Sequence, residues 1–121
     1  MDRRSEIKKI YKQTHQPMGV YQIKNLRNGK RFVGSSPNLP ARFNSMLFQL
    51  RHGVHRNRSL QAEWNEYGEE AFAFEILEEI KPQEAVPYQR SYAEELQELE
   101  EKWLRQLQPY GEHGYNRVVM K

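Results

Sequence analysis

Glu100 carries a carboxylate into apolar company. Leu96, Leu99, Trp103, Leu104 and Leu107 recur as one stripe of a helix. At about 100° per residue, Glu100 projects between Leu96 and Leu104, inside that stripe. Glu95, Glu98 and Glu101 fall on its flanks or far side. Burying a lone carboxylate is unfavourable by several kcal/mol unless a charge or a metal compensates. Two readings follow: Glu100 binds a cation, or it snorkels at the stripe edge or pairs with an arginine. A second feature is Tyr21 and, eleven residues on, Phe32-Val33-Gly34. Gly34 leaves room for backbone or a phosphate to come close, although ordinary hairpin packing gives the same pattern. Arg42 follows, beside the apolar Phe43; its planar fork matches phosphate oxygens, and as an isolated helix residue it would be a solvated charge. His15, His52 and His113 lack metal-ligand spacing. Trp64 shares a helical face with Leu60 and reads as core.

These residues need elements to hold them. Residues 3–14 place Ile7, Ile10 and Tyr11 on one side of a short basic amphipathic helix that ends before Pro17. GVYQIKN and RFVGSS read as two strands, with Asn28-Gly29 suited to a type I′ turn between them. Asn38-Leu39-Pro40 opens a helix that runs to Gly53 with Leu39, Phe43, Leu47 and Leu50 inward. A second helix spans Arg58 to Tyr67 and stops at Gly68. AFAFEILEEI alternates as a third strand. Pro82 and Pro87 mark a loop, and Ser91 with Glu94 forms a capping box for a helix ending near Leu107. The order implies an α+β fold, a small three-stranded, mainly antiparallel sheet flanked by helices.

The chain has 121 residues, 37% of them hydrophobic, enough for one domain with a modest core that leans on its aromatics. No apolar run reaches the roughly 20 residues of a membrane span, so no membrane partner is expected. Cysteine is absent, which removes disulfides and thiolate metal sites and fits a cytoplasmic location. The net charge of +3 conceals an asymmetry: residues 1–60 carry 13 Lys/Arg against Asp2 and Glu6, whereas residues 61–121 carry six against 14 Glu. The first half can supply several phosphate contacts, or the halves can neutralise one another within one fold.

From Met18 to Asn116 the sequence resembles the GIY-YIG nuclease family, and its homing-endonuclease members above all. The segments GVYQIKN, NGKRFVGSS, ARF, GVHRNRSLQAEWNEYG, FEILEE, LEEKW and GYN occur in the family's order. The resemblance divides the chain into the N-terminal basic helix, 1–17, and a nuclease domain, 18–121. It implies that Tyr21 is a general base, that Arg42 clamps the scissile phosphate, and that Glu100 is the metal-binding glutamate. It implies further that His55 binds phosphate or assists the leaving group, and that Asn116 supports the site. Gly34, Lys30, Arg31 and Arg56 are the expected nucleic-acid contacts. The implied cofactor is Mg²⁺, or Mn²⁺, which one carboxylate, waters and substrate phosphate can hold.

Two positions depart from the family pattern. Phe32 stands in place of the second motif tyrosine, and Met46 where many members have a histidine or another polar group. The implied function is a divalent-metal-dependent endonuclease that nicks DNA one strand at a time, with a homodimer or sequential cuts needed for double-strand breaks. The alternative is an impaired nuclease fold that binds nucleic acid without cutting it.

Overall fold

The computed structural model describes residues 17–81 and 89–117. The basic helix expected over 1–17 lies, but for Pro17, outside the described residues. Three strands form one antiparallel sheet: β1, Met18–Asn25; β2, Arg31–Ser36; and β3, Phe72–Ile80. Their order is β2-β1-β3, with β1 in the centre. Helix α1 spans Leu39–Arg51, α2 spans Arg58–Tyr67 and α3 spans Gln89–Leu107. The expected sheet and flanking helices are present, but α3 begins at Gln89, ahead of the capping box expected at Ser91, and the loop expected around Pro82 and Pro87 lies outside the described residues.

Local chemistry accounts for the helix boundaries. The Asn38 side chain accepts the Ala41 N–H at 3.1 Å, and Pro40 sits in the first turn of α1, where its missing N–H costs nothing. Asn57 caps α2 in the same way, accepting from Leu60 N–H at 3.0 Å, and Gly68 ends it with φ +89°. One face of the sheet packs Tyr21, Ile23 and Phe72 against Leu39, Met46 and Leu50 of α1 and Leu60 and Trp64 of α2. A second cluster joins Met18, Ile80 and Leu96 of α3. Trp64 is core, packed on Phe72 at 5.2 Å between ring centroids.

The hairpin differs from the expected two-residue turn. The β1–β2 ladder ends at Lys24↔Arg31, and Gly29 N–H reaches back to Asn25 O at 2.7 Å. Asn25 is the reason. Its buried side chain donates to Glu63 and to the Tyr115 hydroxyl, both at 3.0 Å, and accepts the Arg27 N–H at 2.8 Å. A buried amide needs those partners, and meeting them widens the loop. On the other edge, β3 carries a bulge: Val20 faces Glu78 while Tyr21 faces Ile76. Gly19 allows this approach, because a Cβ there would lie 2.0 Å from Glu78 O.

The outer edge of β2 is covered by the chain's last described segment. Arg31 bridges Gly114, and Tyr115 N–H donates to Arg31 O at 2.8 Å. Covering the edge leaves fewer unpaired backbone groups on it.

Candidate active site

Tyr21 stands on the central strand, 2% exposed, directly opposite Gly34 on the edge strand. Its phenol lies over that glycine: a Cβ at position 34 would sit 2.5 Å from the Tyr21 hydroxyl and 2.8 Å from Cζ. The room that Gly34 leaves is therefore filled by Tyr21, and glycine there lets the hydroxyl reach across β2. Gly34→Ala is expected to cost about 1–3 kcal/mol of stability through overpacking. Urea denaturation checks this, and a variant as stable as the parent would contradict the packing.

At that end of the phenol two charged side chains act on the hydroxyl. Arg42, on the first turns of α1, sets its guanidinium charge within electrostatic reach of it. Glu100, on α3, is close enough to act on it electrostatically. Burial pushes the Tyr21 pKa above its ordinary value of 10, the Arg42 charge opposes that rise, and the Glu100 carboxylate adds to it. Glu100 is half-buried, as its place in the helical stripe requires, and Ser35 Oγ donates to its Oε1 at 2.5 Å. Ser35 was not among the expected site residues. It lies 65 positions from Glu100, and nothing in the local pattern of RFVGSS distinguishes it from any strand serine.

Beside these groups opens a cleft of about 850 Å³. Tyr21, Phe32, Arg42, Met46, His55 and Arg56 are among its lining residues; Glu100 is not. Phe32 meets the His55 ring edge-on, 5.8 Å between centroids, and Met46 is 4% exposed in the wall. Phe32 and Met46 thus both belong to the lining of the cleft. His55 Nδ1 accepts the Asn57 N–H at 3.0 Å. An amide N–H only donates, so the ring's proton sits on Nε2. Burial holds the His55 pKa below its ordinary range, and the Arg56 charge acts in the same direction. The imidazole is thus a neutral donor at pH 7.

Of the remaining expected residues, Asn116 stays with the cleft while Lys30 and Arg31 do not line it. The Asn116 amide pairs with the Val33 backbone on the β2 edge, accepting its N–H at 2.8 Å and donating to its O at 2.9 Å. It braces the strand next to Gly34 and, with Arg117 after it, lines the cleft. Lys30 turns to the hairpin, 3.3 Å from Glu63 and 5.7 Å from the centroid of the Tyr115 ring. The alternation of β2 puts Arg31 on the face of Val33 and Ser35, opposite to Gly34, and its Nε is buried without a hydrogen-bond partner. Of the four residues expected to touch nucleic acid, Arg56 alone lines this cleft. For Lys30 the reason is physical: its charge shows in the sequence, but Glu63, which engages it in the fold, does not.

Glu100 offers one hard carboxylate. No group of three or more His, Asp or Glu that could hold a metal occurs among the described residues. That donor set fits Mg²⁺ or Mn²⁺, which keep several waters and complete their shell with substrate phosphate oxygens. It is too small for a site supplied wholly by the protein.

Comparison with known proteins bears on this arrangement. The model of the GIY-YIG catalytic domain matches residues 17–116. Over 98 residues the chain is 35% identical to Intron-associated endonuclease 1 of Enterobacteria phage T4. That match covers 81% of this chain and 36% of the phage protein, so the chain spans about a third of that relative's length. The catalytic domain of homing endonuclease I-TevI superposes with a TM-score of 0.68 at 30% identity, over 84% of this chain and 99% of that one. A mutant of the catalytic domain of intron endonuclease I-TevI superposes with a TM-score of 0.66 at 31% identity, over 83% and 92% of the two chains.

Proposed function

The chain belongs to the GIY-YIG catalytic-domain family, and on that premise we propose that it is a divalent-metal-dependent endonuclease that hydrolyses DNA phosphodiesters, nicking one strand at a time. One observation carries this reading: the Tyr21 hydroxyl, lying over Gly34, is within electrostatic reach of both Arg42 and Glu100, and Tyr21 and Arg42 line one cleft with His55 and Arg56.

Each group has a task that its surroundings support. Tyr21, as the phenolate, takes a proton from the attacking water and becomes the phenol, and the Arg42 charge favours the phenolate beforehand. As the oxygen of water bonds to phosphorus and the bond to the leaving oxygen breaks, Arg42 and Arg56 meet the charge on the phosphate oxygens. His55, neutral with Nε2–H free of its own loop, donates a hydrogen bond to a phosphate or leaving oxygen without a change in its charge. Glu100 is the residue that holds the metal, with Ser35 fixing its carboxylate. Bound there, Mg²⁺ supplies positive charge to the phosphate undergoing substitution.

Phe32 and Met46 favour a second reading, a domain that binds DNA and does not cut it, because neither can donate or take up a proton and Met46 offers only a weakly accepting thioether. Supercoiled plasmid incubated with the chain and Mg²⁺, Mn²⁺ or EDTA separates the two. The expected outcome is nicked circles that accumulate before linear DNA, only with metal. Salt-sensitive binding with no product in either metal establishes the second reading. In that event Phe32→Tyr shows whether the missing hydroxyl is the defect.

A further inference from the structure

Phe48 is the one phenylalanine of five that takes no part in the core. Phe72 is buried, Phe32, Phe43 and Phe74 pack against the main cluster, and Phe48 is 61% exposed on α1. It is not loose, however. The His52 ring stacks on it at 4.1 Å between centroids with a 33° tilt. His52 is itself anchored, its Nδ1 2.8 Å from Phe48 O. A carbonyl only accepts, so Nδ1 carries the proton of that bond. The pair forms a fixed two-ring ledge, with most of the Phe48 ring open to solvent.

The ledge adjoins the cleft. Ala41 and Ser45 line the cleft from α1, and Ala41, Ser45, Phe48 and His52 follow one another four, three and four residues apart, the spacing of neighbours on one helix face. Val54 N–H donates to Gln49 O at 2.9 Å, which folds the loop bearing His55 and Arg56 back against the end of the same helix. Arg42, Arg56 and Arg117 line the cleft, and no Asp or Glu is among its lining residues. An open aromatic face beside a basic cleft suits a polyanion with flat apolar bases. In continuous duplex both faces of each base are already stacked on neighbours, so only an unpaired base can use the ledge.

We propose that Phe48 and His52 form a stacking ledge for an unpaired nucleobase adjoining the phosphate bound in the cleft, so that the chain selects DNA with a gap, flap or bulge over continuous duplex. The proposal rests on the DNA-directed reading above, and its test keeps the two apart. Fluorescein-labelled duplex and the same duplex with a two-nucleotide gap strand are titrated with the full chain in EDTA. A second probe carries 2-aminopurine at the unpaired position, where stacking quenches its emission. The parent is expected to bind the gapped DNA more tightly and to quench the probe. Phe48→Ala should lower affinity for the gapped DNA by about 5- to 100-fold, the loss of one stacked base, bring the two substrates within twofold of each other and abolish the quench. Phe48→Trp should restore all three, and Phe48→Leu, apolar but without a π-face, should not.

A Phe48→Ala protein that keeps both the preference and the quench overturns the ledge. So does a parent that is dimeric by sedimentation and becomes monomeric with Phe48→Ala, since the ring then covers a second copy. Selective, Phe48-dependent binding with no cleavage in Mg²⁺ upholds the ledge and removes the nuclease reading. No binding of either DNA by the parent removes both.

Discussion

Glu100→Gln is expected to lower the DNA-cleavage rate by about 10³-fold or more, given that a metal contributes several kcal/mol of charge stabilisation to phosphoryl chemistry. The substitution is chosen for what it keeps. Glutamine has the same shape, and its carbonyl oxygen can still accept from Ser35 Oγ, so packing between α3 and β2 is preserved. What it loses is charge. A half-buried group that no longer needs a counter-ion leaves stability unchanged or slightly raised, so urea denaturation should separate lost chemistry from lost fold. Mn²⁺ titration followed by electron paramagnetic resonance, with gapped DNA present, supplies a readout independent of turnover: the bound fraction seen with the parent should vanish with Glu100→Gln. Cleavage within threefold of the parent would sink the assignment of Glu100. Ser35→Ala is a milder probe of the same carboxylate. It should weaken Mn²⁺ affinity about 10-fold or more, as removal of a hydrogen bond that orients a metal ligand does, and Ser35→Thr should recover it. Equal Mn²⁺ affinity in all three proteins removes the positioning role.

Glu100 was legible in the sequence because helical periodicity is a local property. Five apolar neighbours within twelve residues fix the stripe, and a carboxylate inside it stands out whatever the rest of the fold does. The strands and the three described helices were legible for the same reason, as was the Asn38 start of α1, because capping needs only a side-chain oxygen and an N–H three residues on. What escaped was set by long-range partners. Ser35 finds Glu100 across the sheet, Asn116 braces Val33 from 83 residues away, and Asn25 resets the hairpin loop because Glu63 and Tyr115 claim its amide. Lys30 and Arg31 illustrate the converse. Each looked available to a phosphate, yet one is engaged by Glu63 and the other belongs to the sheet face opposite to Gly34. Ile76 alternated as a core residue in the sequence and is 47% exposed, just before the bulge where β3 shifts register. Phe48 was absent from the inward set Leu39, Phe43, Leu47 and Leu50, and that absence was itself a signal: a large aromatic on the polar side of an amphipathic helix wants an explanation.

Tyr21→Phe is the second large effect, expected to slow cleavage by about 10²- to 10⁴-fold, the usual worth of a positioned general base. The apolar ring fills the same space over Gly34, so the fold has no reason to change; only the hydroxyl goes. Phe32 has no hydroxyl either, so neither ring could then take a proton. The pH dependence gives the sharper test. The Tyr21 pKa is raised, by burial first and by Glu100 second, with Arg42 opposing. The active form of a base is the deprotonated one, and a pKa above 10 leaves only a small fraction of phenolate at neutral pH. The parent's rate should therefore climb with pH, about tenfold per unit from roughly pH 6 to 9 while the phenolate fraction limits turnover. With Tyr21→Phe that slope should flatten along with the rate, since no other residue in the cleft is placed to take the water's proton. Arg42→Ala should act in the opposite sense on the titration, raising the phenol's pKa further and moving the climb to higher pH. A Tyr21→Phe protein with the parent's slope would show that the water loses its proton elsewhere, and that the phenol over Gly34 serves only to pack the hairpin.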